Sequence, residues 1–278
     1  MDTDIICSLV DLERYPVDDL SSDQGRALIV SLQESLESVG SASMPGFLLP
    51  DALEAMAAEA QSLVHLAYLG PTRVSPYFFN YDIAGADVPD DHPTRFLGTR
   101  NVSQVAYDLI PRDSLLCRLY HSDVVTNLVA RVRNKDRLYR LADRYQSLNI
   151  SVMREGGHQQ WHFDQGRLVT TLLMQAAEKG GVFEYVPDIR SEEEEHFDEV
   201  AKVLAGDHSK VRQLDLVPGS LNLFLGHYSM HRVTPVEGCR NRLQTIFAFA
   251  DESDTQGSLK SSILHYGPRV AALEEVQA

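Results

Sequence analysis

The sequence predicts an α+β chain with a helical first half and an antiparallel β barrel or sandwich in the second. Three observations carry that reading. Apolar residues recur at helical spacing behind capping clusters up to about residue 132. Beyond residue 146 they change to short runs rich in β-branched, aromatic and leucine residues. Gly or Pro then punctuates most of the joins: Gly156-Gly157, Gly166, Gly180-Gly181, Pro218-Gly219 and Gly238.

The elements follow in order. Ser21-Ser22-Asp23 caps a helix with apolar positions at Leu28, Val30, Leu32 and Leu36, and Gly40 stops it. Asp51 caps a second helix through Leu53, Met56, Ala57 and Leu63, closed by Gly70. A third runs from about Ser114 to Val132. The segment from Pro71 to Arg112 is irregular and rich in Pro, Asp and aromatics, the signature of a functional loop or lid. Strands are predicted at Leu148–Met153, Arg167–Met174, Val182–Val186, Val211–Leu216, Leu221–Leu225 and Leu243–Phe249. One helix interrupts them: Ser191 caps Glu192–Glu195, whose charges suit the positive end of a helix dipole, and Gly206 ends it. A metal or partner site is the other reading of that acidic run. With no repeat and no low-complexity linker, residues 1–278 form one domain: a mainly helical part over 1–145, a β core over 146–252 and a C-terminal extension over 253–278.

Bulk composition narrows the function. A formal charge of −15 argues against a nucleic-acid partner, which needs clustered Lys and Arg, and against an anionic membrane surface. No apolar stretch approaches the ~20 residues of a membrane helix. The acidic start (Asp2, Asp4, Asp11, Glu13) lacks the basic region of a signal peptide. Cys7, Cys117 and Cys239 are too scattered for a disulfide framework or a zinc knuckle. A cytoplasmic enzyme acting on a small molecule fits these limits, and its oligomeric state is left open.

The chemistry is carried by Trp161-His162-Phe163-Asp164 and, after a gap of 66 residues, His231. Residues two apart on a strand share a face, so His162 and Asp164 point together into a barrel mouth. A facing strand beyond Leu221–Leu225 can deliver His231. Two imidazoles and one carboxylate on one face of an octahedron leave positions open for a bidentate co-substrate and O₂, an arrangement that suits iron(II). His-x-Asp alone arises by chance, and a lone His231 reads as a packed or surface residue. Arg242 lifts the set. It lies eleven residues beyond His231 at the start of the final strand, where a guanidinium can grip a carboxylate with two parallel hydrogen bonds.

His162-Phe163-Asp164, His231 and Arg242 resemble the iron and 2-oxoglutarate motif of the 2-oxoglutarate-dependent oxygenases. That resemblance implies a double-stranded β-helix (jelly-roll) core. The wider context, in Gly180-Gly181-Val182-Phe183-Glu184-Tyr185-Val186-Pro187, Pro218-Gly219-Ser220-Leu221 and Tyr228-Ser229-Met230-His231-Arg232-Val233-Thr234-Pro235-Val236, resembles the branch of radical halogenases and hydroxylases acting on free amino acids. The likeness reaches back to Asp91-His92-Pro93 and Arg100, and covers most of the chain beyond about residue 75. In the halogenases of that branch a small residue replaces the carboxylate ligand and chloride takes its place. This chain keeps Asp164, so hydroxylation is expected; desaturation, demethylation or ring closure would need the same ligands.

Secondary candidates come with plainer readings beside them. If the strand into the motif is regular, His158 and Gln160 share the face of His162 and touch substrate; otherwise His158 is a solvated loop residue. The resemblance makes Arg100 a partner for a substrate carboxylate, against a surface salt bridge. Trp161 points away from the metal and packs against the helical half. Tyr77-Phe78-Phe79 and Tyr81 form either an aromatic lid or packing between helices and barrel. His227 competes with His231 as a ligand, but the turn and the spacing to Arg242 favour His231. His196 and His208 read as surface residues. The expected protein is an Fe(II)- and 2-oxoglutarate-dependent dioxygenase of a small polar metabolite. Two other classes stand beside it: a non-catalytic 2-oxoglutarate-binding sensor barrel, and a zinc hydrolase, which lacks a general base and leaves Arg242 without a role.

Overall fold

The computed structural model describes residues 2–78 and 87–276. Two antiparallel sheets face each other. Their strands, in chain order, are β1 Ser41–Met44, β2 Tyr68–Leu69, β3 Arg73–Val74, β4 Gly98–Asn101, β5 Ser103–Val105, β6 Tyr139–Arg140, β7 Leu148–Met153, β8 His158–His162, β9 Val169–Gln175, β10 Lys179–Gly180, β11 Phe183–Val186, β12 Arg212–Leu214, β13 Leu221–Phe224, β14 Met230–Val233, β15 Val236–Glu237, β16 Arg242–Phe247 and β17 Phe249–Ala250. Seven form the larger sheet, in the order β1-β13-β9-β16-β7-β5-β2. Six form the smaller one, β12-β11-β14-β8-β4-β3.

The larger sheet shows how the sequence sorts its two faces. Along β7, Leu148, Ile150 and Val152 join the main core, and along β16 Leu243 and Phe247 do the same. The intervening Ser151, Arg242, Gln244 and Ile246 face the space between the sheets. Alternation therefore puts aliphatic side chains under helices and, Ile246 and Met153 apart, polar ones from these two strands inside the barrel. The covering helices are α1 Asp2–Leu9, α2 Asp23–Val39, α3 Pro50–Ser62, α4 Leu115–His121 and α5 Asp123–Val132. Helix α6, Phe197–Leu204, covers the outer face of the smaller sheet, where Val200 and Val203 meet Trp161, Phe163 and Met230. Helices α7 Leu259–Tyr266 and α8 Arg269–Glu275 close the chain, with Tyr266 and Val270 packed on Ala106 and Tyr145. Among the described residues no helix is long and apolar enough to cross a membrane.

Several boundaries differ from the sequence reading for local reasons. Helix α2 has the expected caps: the Ser22 hydroxyl accepts from the Gly25 N–H, and Gly40 sits at φ +74°. Asp51 is not the cap of α3; Leu49 is, with Pro50 in the first turn and Asp51 supplying only a favourable charge. That helix ends at Ser62, and strand β2 intervenes before Gly70. The span expected as one helix over 114–132 is two, because Ser122 turns extended and caps α5 through the Val124 N–H. Ser191 caps no helix. Its hydroxyl accepts the N–H groups of Glu193 and Glu194 in a turn, and the helix begins at Phe197 after His196 adopts φ 48°. The irregular segment holds β3, β4 and β5, so the part before residue 145 supplies strands to both sheets as well as helices.

Candidate metal centre and its cavity

His162 ends β8 and His231 lies on β14, and the antiparallel register makes them direct cross-strand partners. Their ring centroids are 4.0 Å apart. Asp164 stands just beyond the strand end, where its N–H donates to the Gly226 carbonyl at 2.9 Å. A Cβ at Gly226 would overlap the Asp164 carboxylate, so glycine is required there for the carboxylate to lie against the turn. Asp164 Oδ2 is 3.3 Å from His231 Nε2, and Oδ1 is 3.9 Å from His162 Nε2. The three donor atoms lie within 4.8 Å of one another.

Hydrogen bonds to the chain set the tautomers. His162 Nδ1 lies 2.9 Å from the Gln160 carbonyl, and His231 Nδ1 lies 2.9 Å from that of Ser229. A carbonyl only accepts, so each Nδ1 carries the proton and each Nε2 turns a lone pair to the centre. Burial, and next the neighbouring His231, lower the pKa of His162 to about 3, which keeps that ring neutral. Burial disfavours the ionised form of Asp164, yet His231 and His162 together hold its pKa below the ordinary value. The set is thus two imidazoles held by their Nδ1–H bonds and a carboxylate, a donor set that fits iron(II).

A cavity of about 120 Å³ opens from these residues between the sheets. Arg242 enters it from β16, 3% exposed, with its Nε–H donating to the Gly181 carbonyl at 3.1 Å. Gly181 sits at φ +61°, and a Cβ there would press on Arg242 Cδ at 3.0 Å. Arg242 Nη2 is buried with no hydrogen-bond partner, and burial alone lowers the pKa of the group to about 10. A buried guanidinium without a carboxylate is costly. That orphaned donor fits a carboxylate ligand brought by a co-substrate. Arg100, 2% exposed on β4, lines the same cavity, and its Nε is orphaned in the same way.

The strand into the motif is not regular. His231 pairs with His162, but Val233 pairs with Gln159, so two residues on β8 oppose Arg232 alone. This β-bulge breaks the alternation that put His158 and Gln160 on the ligand face. His158 instead bonds Thr99 Oγ1 at 2.9 Å and the Gly156 carbonyl at 2.8 Å, on the partly exposed side. Gln160 lines an outer groove with Trp161 and His208. The residue delivered to the cavity is Gln159, whose amide lies 2.8 Å from His162 Nε2. Sequence reading missed it because a bulge leaves no local mark, and only the cross-strand register exposes it.

The other candidates fall into place around this centre. Trp161 is buried away from the His162–Asp164–His231 cluster as expected, but beneath α6 rather than the first-half helices, with the Arg232 guanidinium 4.7 Å from its ring. Tyr77 is buried against Phe163, the plainer of its two readings, while Phe79 and Tyr81 lie outside the described residues. His227 is not in the His162–Asp164–His231 cluster; its Nδ1 lies 3.2 Å from the Asp164 carbonyl. His196 and His208 are at the surface. A wider groove of about 770 Å³ between α2 and α5 contains no imidazole among its described residues.

Comparison with known proteins agrees with this architecture. The sequence matches the Halogenase D family over residues 94–265. No curated protein matches the chain. Among solved structures, the α-ketoglutarate-dependent carbocyclase SnoK of nogalamycin biosynthesis superposes with a TM-score of 0.56 at 11% identity, over 88% of this chain and 89% of that one. A 2OG-Fe(II) oxygenase-family oxidoreductase from Burkholderia pseudomallei gives 0.52 at 12% identity, over 82% and 92%. HygX from Streptomyces hygroscopicus, solved with nickel and 2-oxoglutarate bound, gives 0.51 at 15% identity, over 79% and 86%. These likenesses are of fold, a double-stranded β-helix. The family match extends over more than half of the chain and includes every residue of the cavity's metal and arginine cluster, and the chain belongs to the Halogenase D family.

Proposed function

We propose that the chain is an Fe(II)- and 2-oxoglutarate-dependent dioxygenase that hydroxylates an unactivated C–H bond of a small polar, amino-acid-like metabolite. The observation that carries the reading is the pairing, in one cavity, of a two-histidine, one-carboxylate cluster with the uncompensated guanidinium of Arg242. His162, Asp164 and His231 would hold the metal, and Arg242 the far carboxylate of 2-oxoglutarate. Iron(II), 2-oxoglutarate and O₂, when bound, supply the oxidising power that removes a hydrogen atom from carbon. The chain's own part is placement. The Nδ1–H bonds fix both rings, Arg242 orients the co-substrate, and Phe183, Phe224, Val233 and Ile246 line the cavity and limit water. Arg100, on the opposite sheet from Arg242, is placed to take a substrate carboxylate.

Asp164 separates hydroxylation from halogenation. Its carboxylate would take the coordination position a halide needs, so the family name does not carry its chemistry to this chain. Desaturation, demethylation and cyclisation use the same ligands and are distinguished by product. Anaerobic titration of the iron(II) protein with 2-oxoglutarate should give a visible charge-transfer band that His162→Ala and His231→Ala each abolish. Substrate-dependent succinate release separates an enzyme from a silent sensor barrel. A band of full strength in either variant, or a chlorinated product from the unaltered protein in chloride, would refute the assignment of ligands or of outcome respectively.

A further inference from the structure

Several buried side-chain polar atoms among the described residues have no hydrogen-bond partner. Three of them, Arg100 Nε, Gln104 Oε1 and Arg242 Nη2, belong to residues that line the one cavity. Such atoms are rare in folded proteins because each forfeits its hydration without return. Their convergence on one space therefore describes a ligand. Arg242 is accounted for by the co-substrate; Arg100 and Gln104 are not.

These two residues enter the cavity from a single corner. Arg100 is on β4 of the smaller sheet, and Gln104 is four residues on, in β5 of the larger one. The chain crosses between sheets at Val102, whose carbonyl takes the Arg100 Nη1–H at 3.3 Å. One arm of the guanidinium is thus anchored to the backbone while Nε is left to a ligand. Gln104 Oε1 offers the complementary half, an acceptor that needs a donor.

The charge of that donor follows from the surroundings. The charged residues lining the cavity, among those described, are Arg100, Arg242 and Asp164. Asp164 is directed at the two imidazoles. Glu184, the acid on the neighbouring strand β11, is held by Arg232 and Gln213. An ammonium beside Arg100 would meet a neutral amide oxygen and the Arg100 guanidinium, with no acid of the described lining free to pair it, in a space of low polarisability where like charges repel strongly. A hydroxyl or an amide N–H meets the same oxygen without that repulsion.

We infer that Arg100 and Gln104 together recognise a small carboxylic acid whose carbon next to the carboxylate bears an uncharged donor, a hydroxyl or an acylated nitrogen, in preference to a free zwitterion. This inference rests on the proposed assignment of Arg100 to the substrate. The test is calorimetric titration of the full chain, loaded with nickel(II) and 2-oxoglutarate, with four acids that share one side chain: 2-hydroxyisovalerate, N-acetyl-L-valine, L-valine and isovalerate. The hydroxy or the N-acetyl acid should bind about tenfold more tightly than L-valine and isovalerate, the worth of one well-made buried hydrogen bond; whichever does so names the donor. Gln104→Leu should bring that ligand to within about twofold of isovalerate. Gln104→Glu should turn the preference toward L-valine, which then meets a carboxylate. L-Valine binding as tightly as both donors in the unaltered protein would overturn the inference, as would an undiminished donor preference in Gln104→Leu. Parallel titration with 2-oxoglutarate keeps the two readings apart. If 2-oxoglutarate binds and none of the four acids does, the inference fails and the proposed co-substrate site stands. If 2-oxoglutarate itself does not bind, both fall.

Discussion

Two regions of this molecule bury an arginine completely and treat its charge in opposite ways. Behind the His162–Asp164–His231 cluster, Arg190 donates to the Glu195 carboxylate at 3.0 Å and to the His227 carbonyl at 2.5 Å, with its guanidinium 4.0 Å from the Phe163 ring centroid. Inside the cavity, Arg242 has one backbone carbonyl and no acid, and Arg100 is in the same position. The first arrangement is complete within the chain and braces the segment that carries Asp164. The second is incomplete within the chain, and an arriving anion would offset its cost in the folded protein. Burial alone does not separate architecture from recognition. The presence or absence of an internal counter-charge does.

The comparison breaks first at Arg242. Arg242→Leu removes a cation that the fold does not compensate, so metal binding should be nearly intact and the ligand-free protein should melt within a few degrees of the parent, or above it. Affinity for 2-oxoglutarate should fall by about 2–5 kcal/mol, the usual cost of losing one partner of a desolvated charge pair. Calorimetry of the metal-loaded variant, set beside a thermal melt without ligand, measures both effects. An unchanged 2-oxoglutarate affinity would move the anchor elsewhere.

Arg190→Met should show the opposite pattern. Breaking an internally satisfied buried pair typically costs about 3–5 kcal/mol. Glu195 is 28% exposed and can regain water, so a value near the bottom of that range, about 3 kcal/mol, is expected. Urea denaturation measures it. A loss under about 1 kcal/mol would mean that Arg190 is no more structural than Arg242.

The contrast also shows what a sequence can display. His162, Asp164, His231 and Arg242 were legible because a His-x-Asp pair, a distal histidine and one cationic position leave a pattern in the chain itself, although Asp164 stands past the end of β8 rather than on it. The helix over Asp23–Val39 was legible for the same reason, since both of its caps are local. Gln159 was hidden, because the bulge that turns it inward is defined by β14, some seventy residues away. The acidic run misled. Glu195 looks like a helix-start carboxylate, but it is the counter-ion of Arg190, five residues before it, across a turn that helical periodicity does not mark. The short strands before residue 145 were missed because two to four residues carry no period of their own. Local chemistry is written in local sequence; a strand register is written in the partner.

The smallest expected effect concerns how far the uncompensated charge of Arg100 reaches. His265, on α7, is buried, and its pKa is lowered to about 4, first by burial and further by the charge of Arg100, against a hydrogen bond to the Ser261 carbonyl that raises it. The folded value lies below the ordinary 6.5, so between about pH 4 and 6.5 the unfolded chain binds a proton that the folded protein refuses. Stability should therefore rise with pH across that window, and be lost as pH falls through it, by about 1.4 kcal/mol per pH unit for this group. His162 adds to the same acid limb in metal-free protein, since its folded value of about 3 is also depressed. The useful quantity is a difference. His265→Phe, measured by urea denaturation in chelator at pH 5 and 6.5, should flatten the limb by one proton's worth and leave the contribution of His162 in place. Arg100→Met should flatten it by less, because burial persists when the charge is gone. Identical slopes in the parent and His265→Phe would mean that the imidazole is not held neutral, and that the field of Arg100 does not extend past the cavity wall.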